Sequence, residues 1–162
     1  AIEAEVQAAH QSLPSDLAEL RMTPEDFGVR SDYPAFDRHD EKVAFLSHLS
    51  REYLDPLGVE FGLRAIRQSQ GYMIAAEATG IGPDEALDNV IKHKILPKIA
   101  FDTARPAGSG RPRRELIDEL RTELTRRFEG TSLDLEASCV GDLGRMIRLA
   151  DGNNGILNYW LR

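Results

Sequence analysis

The stretch PDEALDNVIKHKILPK, residues 83–98, decides the fold of this chain because it predicts a long helix with one apolar face. Proline is tolerated in a first helical turn, and Asp84 and Glu85 follow Pro83 where negative charge suits the helix dipole. Pro97 should kink or end the helix. The apolar residues recur at three- and four-residue steps, which is the spacing of a single helix face: Leu87, Val90, Ile91, Ile95 and Leu96.

The same spacing on both sides of this stretch predicts further helices. Residues 41–57 should form a helix whose start is favoured by the acidic Asp40 and Glu41, and residues 61–78 and 115–128 should form two more. In the helix over 61–78 we expect four side chains to point inward: Leu63, Ile66, Met73 and Ile74. A shorter helix is predicted from one more apolar set: Val140, Leu143, Met146, Ile147 and Leu149.

Other segments depart from the helical pattern. Residues 1–40 should form an amphipathic helix followed by an irregular segment with interspersed aromatic residues. Residues 103–112, rich in glycine and proline, should form a flexible exposed loop, and residues 133–137 a short strand or an extended link. The aromatic C-terminal tail, residues 156–161, should dock onto the body. The predicted fold is therefore mainly α, a helical bundle over residues 41–162 preceded by the irregular N-terminal segment.

Composition limits the classes of function. A chain of 162 residues with 41% hydrophobic residues is long enough for one domain with its own core. Its single cysteine, Cys139, excludes an internal disulfide and suits a reducing compartment, so a cytoplasmic location is expected. The chain has no apolar run of membrane-spanning length. A net charge of −7 argues against direct contact with DNA, although one basic cluster stands out, which we interpret as a solvated loop: Arg105, Arg111, Arg113 and Arg114.

A search for catalytic motifs finds no complete site. The Gly-x4-Gly-Lys-Ser/Thr phosphate loop is absent, and the histidines His10, His39, His48 and His93 do not have metal-ligand spacing. The acid–acid–lysine run at residues 40–42 fits a helix start better than a nuclease, since the carboxylates of a nuclease need adjoining strands to hold magnesium. We expect Cys139 to be a small buried residue rather than a nucleophile.

Three stretches carry a resemblance to a known family. The first, residues 60–67, reads EFGLRAIR and follows a predicted helix that ends in LDPLG. The second, residues 86–99, reads ALDNVIKHKILPKI, and the third joins LGRMIRL at 143–149 to NGILNYW at 154–160. Together they resemble the C-terminal part of McrB-type AAA+ NTPases, over about residues 43–162. In that family a Phe-Gly-Tyr-Arg-like element opens a helix, a helix ending in Ile-Leu-Pro-Lys follows, and the chain closes on an aromatic tail.

The chain departs from the family pattern at two places. Leu63 stands where an aromatic residue usually precedes the arginine, and Asn158-Tyr159 stand where Ser-Phe is common. The resemblance implies that this chain is the helical lid of a longer nucleotide-driven motor, whose phosphate loop, metal-binding acids and first sensor lie upstream. Such motors act in restriction systems that cut foreign or modified DNA.

The resemblance also implies cofactors and partners. The parent protein would use GTP or ATP with Mg²⁺, whereas no cofactor and no hydrolytic activity are expected for this segment in isolation. Its partners would be its own upstream AAA+ core, the neighbouring subunits of a ring and a separate nuclease subunit. Arg64 matches the arginine that senses nucleotide at the start of a lid helix, and Arg67, one turn further on, is the alternative. A guanidinium suits this role because its fork of donors is permanently charged.

A different class of function is also open. The chain could be a standalone helical interaction module of a defence complex, with its partner surface formed by the aromatic stretch at residues 27–36 and by Tyr159-Trp160. Two observations distinguish the classes: whether a phosphate loop precedes Ala1 in frame, and whether Arg64 affects hydrolysis by the parent. A small DNA-binding domain is the least favoured reading, and it predicts retention on DNA that weakens steeply with salt.

Overall fold

The structure, a computed structural model, describes residues 36–161 and is mainly helical in that range. Helix α1 comprises Glu41–Leu49, a π-helical turn Ser50–Leu54 and a last turn Asp55–Leu57. Helix α2 is Leu63–Ala78. Helix α3 comprises Pro83–Val90, a π-helical turn Ile91–Ile95 and a 3₁₀ turn Leu96–Lys98. Helices α4 and α5 are Arg113–Phe128 and Cys139–Gly152.

A small antiparallel sheet joins two distant parts of the chain. Strand β1, Ala100–Asp102, pairs with strand β2, Ile156–Asn158, and Phe101 lies opposite Leu157. The sequence predicted no strand at either place. Residues 133–137, for which a short strand was one prediction, instead form turns, with Ala137 N–H donating to Asp134 O at 3.1 Å. The predicted N-terminal helix and most of the irregular aromatic segment, residues 1–35, lie outside the described residues.

The ends of the helices follow from local chemistry. Asp40 is the N-cap of α1, and its carboxylate accepts hydrogen bonds from Lys42 N–H at 2.8 Å and Val43 N–H at 3.1 Å. Gly58, with φ of +76°, follows α1 in the left-handed conformation that glycine adopts without strain. Pro83 is the first residue of α3, as predicted.

Both π-helical turns end two residues before a proline, and their last hydrogen bond is donated by the residue just before it. Proline lacks an N–H and its ring clashes with the carbonyl four residues earlier, which disturbs the ordinary helical hydrogen bonds. Asp55, just before Pro56, donates its N–H to Ser50 O, and Leu96, just before Pro97, donates to Ile91 O. In each case the bond spans five residues, so the helix widens for one turn before the proline. Pro97 therefore ends α3 through a π turn and a 3₁₀ turn rather than by a simple break.

The core is formed by buried apolar side chains from all five helices. All five apolar residues of α3 that the spacing placed on one face are buried, as predicted. The prediction for α2 was right for Ile66 and Met73 and wrong for Leu63 and Ile74, which are 56% and 45% exposed. The buried face of α2 runs through Ser69 and Gln70 as well, and Leu63 and Ile74 lie out of phase with it. Leu149 on α5 is also exposed.

The loop and the tail are tied to this core. Residues 103–112 are irregular, as predicted, but Ala107 is buried and Gly108 N–H donates to Pro56 O at 3.0 Å, so the loop contacts the end of α1. The tail is docked through Leu157, which is buried, whereas Trp160 is 67% exposed. Within the described part of the chain, no helix is both long enough and apolar enough to cross a membrane.

Two glycines of α5 give a test of this packing. A Cβ at Gly141 would lie 2.0 Å from Glu136 O, a distance that forces backbone to move, whereas a Cβ at Gly152 meets nothing within 4 Å. We expect Gly141→Ala to lower the free energy of unfolding by about 2 kcal/mol or more. Gly152→Ala should leave it unchanged or raise it by up to about 1 kcal/mol, because alanine is the better helix former. Urea denaturation followed by circular dichroism measures both, and equal stabilities would contradict the close approach.

Candidate functional site

The first turn of α2 is exposed to solvent at Leu63 and Arg64, and Arg64 is its one charged side chain. Its N-cap, Gly62, is extended and has no side chain to accept hydrogen bonds from the first turn, and that turn contains no acidic residue. Free N–H groups and the helix dipole at such an end favour a negatively charged group. The family resemblance placed the first candidate for nucleotide sensing, Arg64, in this turn.

The two candidate arginines have different surroundings. Arg64 lies in the first turn of α2 and is exposed, and it forms no ion pair with a residue of the described range. Arg67 is also exposed, but its guanidinium carbon lies 5.1 Å from the ring centroid of Phe36. A cation–π contact of this kind is worth roughly 0.5–1 kcal/mol at an exposed site. Arg67 therefore has a structural partner, and Arg64 is the better candidate for an external anion.

Helices α1 and α3 position the start of α2. Phe61 is fully buried, and its carbonyl accepts a hydrogen bond from the buried Ser50 Oγ at 2.9 Å. Lys98, at the end of α3, donates through Nζ to Glu60 O at 2.8 Å and lies 5.8 Å from the Phe61 ring centroid. Because Lys98 is held there, a further positive charge lies next to the open end of α2. Sequence reasoning assigned Lys98 no role, since only folding brings residues 60 and 98 together.

Asp37, which precedes α1, is hydrogen-bonded to Gln70 in the middle of α2. Asp37 N–H donates to Gln70 Oε1 at 3.1 Å, and Gln70 Nε2 donates to Asp37 O at 3.0 Å. This pair of bonds explains how a glutamine that is only 3% exposed is satisfied inside the core face of α2. It also places Phe36 where Arg67 contacts it.

Three of the four arginines of the basic cluster around the 103–112 loop form ion pairs within the chain. Arg111 contacts Glu115 at 2.5 Å and Glu119 at 2.6 Å, and Arg105 lies 3.7 Å from Asp102. The two remaining arginines are also engaged: Arg113 lies over the Phe101 ring at 5.0 Å, and Arg114 contacts both Asp118 and Asp151. The hydrogen bonds from the Arg114 guanidinium lower the pKa of the Asp151 carboxyl. Less positive charge is therefore free for a phosphate backbone than the sequence suggested.

A buried carboxylate caps α5 from a different helix. Asp88 on α3 is 4% exposed, and its Oδ1 accepts a hydrogen bond from Cys139 N–H at 2.7 Å. Ser138 Oγ accepts from Val140 N–H at 3.1 Å, so two N–H groups of the first turn are satisfied. Sequence reasoning missed this role. The available signal was that Asp88 falls on the same helix face as Ile91 and Ile95, where a polar residue needs a buried partner.

Cys139 is a structural residue in this arrangement. It is fully buried, as predicted, and burial together with the negative charge of Asp88 raises the pKa of its thiol well above the ordinary value. Since the thiolate is the reactive form, the thiol is kept unreactive. The run at residues 40–42 likewise has structural partners. Asp40 caps α1, Glu41 forms an ion pair with Arg127 at 3.5 Å, and Lys42 forms one with Glu77 at 2.5 Å.

The histidines are dispersed. His93 is exposed, as expected, and His48 Nε2 lies 3.7 Å from Glu123 Oε1. His39 N–H donates to Asp37 Oδ1 at 2.8 Å within a turn. His10 lies outside the described residues.

The fold and the site define a small helical domain with a two-stranded sheet, in which helix α2 begins with neither a side-chain cap nor an acidic residue in its first turn. A family model described as "Domain of unknown function (DUF8727)" matches residues 18–154. The chain belongs to this family. Comparison with curated proteins and with solved structures gave no match.

The Asp88 cap can be tested through the single cysteine. A thiol-specific reagent at pH 8 should label native Cys139 at least about 100-fold more slowly than in the urea-unfolded chain, because the thiol reacts only when α5 opens. Asp88→Ala leaves the Cys139 N–H without a partner, so labelling should accelerate by about tenfold or more. Asp88→Asn keeps an oxygen acceptor and serves as the matched control with a smaller effect. Native labelling as fast as in urea would contradict the burial.

Proposed function

We propose that this chain is the helical lid of a McrB-like, nucleotide-driven AAA+ motor of a DNA restriction or phage-defence system. In this proposal the lid closes over a nucleotide bound by an upstream core, GTP or ATP with Mg²⁺, and packs against the neighbouring subunit of a ring. The lid does not hydrolyse nucleotide alone. The parent motor acts with a separate nuclease subunit, and the lid makes no direct contact with DNA.

The convergence of the three resembling stretches supports a lid-like fold. Lys98, the lysine of the Ile-Leu-Pro-Lys element, donates to the carbonyl of Glu60 in the first stretch. Phe101, just beyond the second stretch, pairs with Leu157 in the aromatic tail. Stretches far apart in sequence therefore build one connected body. Most apolar residues of these stretches are buried. The resemblance of the stretches to the McrB-type family therefore supports a common fold more directly than a common reaction.

The proposed nucleotide role is supported by the surroundings of the Arg64 side chain. Its charge lies in the first turn of a helix without a side-chain cap, and it has no carboxylate partner among the described residues. Lys98 Nζ binds the carbonyl of Glu60, two residues before the N-cap of that helix. An anion placed there would meet N–H groups, a helix dipole and a guanidinium fork. These features suit the terminal phosphates of a nucleotide presented by an opposing core.

One observation favours the alternative, a standalone helical interaction module. Trp160 is 67% exposed at the end of a tail that is otherwise tied to the sheet, and large exposed aromatic residues are frequent in protein interfaces. The coding sequence upstream of Ala1 distinguishes the lid hypothesis from the interaction-module hypothesis. A phosphate loop in frame supports the lid, and a start codon close to Ala1 with no such loop overturns it.

Arg64→Ala in the full-length parent tests the nucleotide role. We expect hydrolysis of GTP or ATP to fall by about 100-fold, because a charged donor to developing phosphoryl charge is lost. The melting temperature of the protein should stay within about 1 °C, since the side chain is exposed and makes no ion pair with a described residue.

A matched control is available on another helix. Arg148 on α5 is equally an exposed arginine, and Arg148→Ala should hydrolyse nucleotide at the wild-type rate. Arg64→Lys should recover part of the activity, because it restores the charge but not the fork of donors. Wild-type hydrolysis by Arg64→Ala would refute the role of Arg64.

A further inference from the structure

The turn between helix α5 and strand β2 contains an asparagine followed by a glycine. Of the four asparagines in the chain, only Asn154 precedes a glycine, and its side chain is exposed. In such a pair the glycine nitrogen can reach the asparagine side chain, because the glycine has no side chain that obstructs the approach. Asparagine is accordingly counted among the thermolabile residues of proteins. The proposed nucleotide role makes no use of this reactive pair.

The reaction open to this pair is deamidation, which needs no reactant other than water. The backbone nitrogen of Gly155 loses its proton and forms a bond to Cγ of Asn154, and the side-chain amide leaves as ammonia. Water then opens the resulting succinimide at either of its carbonyls. The product is aspartate or isoaspartate, and in isoaspartate the main chain is longer by one methylene group. Both products carry a carboxylate in place of the neutral amide.

The folded turn keeps the attacking nitrogen occupied. Gly155 N–H donates to Ala150 O at 2.9 Å, and Asn154 has φ of +52°. Together these features form a Schellman motif, in which the residue after the helix is left-handed and the next N–H bonds back to the last turn. The nitrogen of Gly155 attacks only after its proton is released from the carbonyl of Ala150. The native turn therefore opposes deamidation.

The same turn is fastened to the end of strand β1. Gly155 O accepts hydrogen bonds from Thr103 N–H at 2.9 Å and from Thr103 Oγ1 at 2.8 Å. Thr103 is 7% exposed and directly follows β1. A Cβ at Gly155 would lie 2.8 Å from Thr103 Oγ1, so the two residues approach closely. An additional methylene group in the main chain at residue 154 would displace Gly155 from Ala150 and from Thr103.

We propose that Asn154 is a site of spontaneous deamidation, that the closed turn suppresses the reaction, and that the isoaspartyl product prevents the turn from closing again. The reaction takes place when the turn opens, because local opening breaks the hydrogen bond between Gly155 and Ala150. A reversible opening at the end of α5 thereby becomes irreversible, and strand β2 loses the contact that precedes its pairing with β1. This site does not depend on the nucleotide role of Arg64, which lies on helix α2.

Mass spectrometry of the full chain tests the site. Trypsin releases residues 149–162 as one peptide, and its fragments distinguish Asn153, Asn154 and Asn158. At mildly alkaline pH, Asn154 should deamidate more slowly in the native chain than in urea by about tenfold or more, because the native turn must first open. Thr103→Val removes the Oγ1 hydrogen bond and should accelerate the native reaction by about threefold or more. The rate in urea should not change, because the unfolded chain lacks this bond.

Thr122→Val is the matched control. It also removes a hydroxyl that donates to a main-chain carbonyl, Asp118 O at 2.9 Å, but it lies on α4, and its native rate should equal that of the wild type. Asn154→Gly accepts the left-handed conformation and cannot deamidate at this position. After prolonged incubation in urea and refolding, the wild-type chain should melt several degrees below fresh protein, whereas Asn154→Gly should regain its original melting temperature.

Two results would overturn the proposal. Equal rates at Asn154 in the native chain and in urea would show that the closed turn gives no protection. An unchanged melting temperature of the deamidated wild-type chain would show that the turn closes in spite of the modification. The comparison of native with unfolded wild-type chain involves no substitution, so it holds even if Thr103→Val does not fold.

Discussion

The burial of one face of helix α3 is the interaction on which the other elements depend, because this helix holds parts of the chain that are far apart in sequence. Leu87, Ile91 and Ile95 are almost completely inaccessible, and each such side chain contributes roughly 1.5–3 kcal/mol when it leaves water. With that face fixed, the polar groups of α3 reach defined partners. Asp88 caps the start of α5, and Lys98 binds the carbonyl that precedes α2.

The same packing explains why the chain has an open helix start rather than a closed one. Helices α1 and α3 each end one residue after a proline, Pro56 and Pro97, and a five-residue hydrogen bond precedes each proline. Phe61 is then anchored between the two ends, and Gly62 enters α2 without a side-chain cap. The positive end of α2 is left in solvent together with Arg64. A capping serine or aspartate at residue 62 would have satisfied these N–H groups and reduced the attraction for an external anion.

Electrostatics divides the arginines of this acidic chain into two groups. Arg111 and Arg114 lie among carboxylates of α4 and α5 and hold the surface of those helices together. Such exposed pairs contribute little energy each, but they remove free positive charge from the loop that the sequence marked as basic. Arg64 stands apart from these networks because the first turn of α2 contains no acid. The distinction between structural and available arginines depends on which helices are neighbours.

The sequence by itself determined the helices, the apolar face of α3 and the buried state of Cys139, because these depend on local spacing and on the cost of placing apolar groups in water. It also singled out the first turn of α2 as the place for Arg64. Only the tertiary structure decided the remainder. Strands β1 and β2 were not predicted, since each spans three residues and its partner lies more than fifty residues away. The inward positions predicted for Leu63 and Ile74 were wrong. The buried face of α2 includes the polar residues Ser69 and Gln70, so the positions of the apolar residues alone do not show which face is buried. The cap by Asp88 and the position of Lys98 depend on side chains that meet only after folding, because their partners are distant in sequence and near in space.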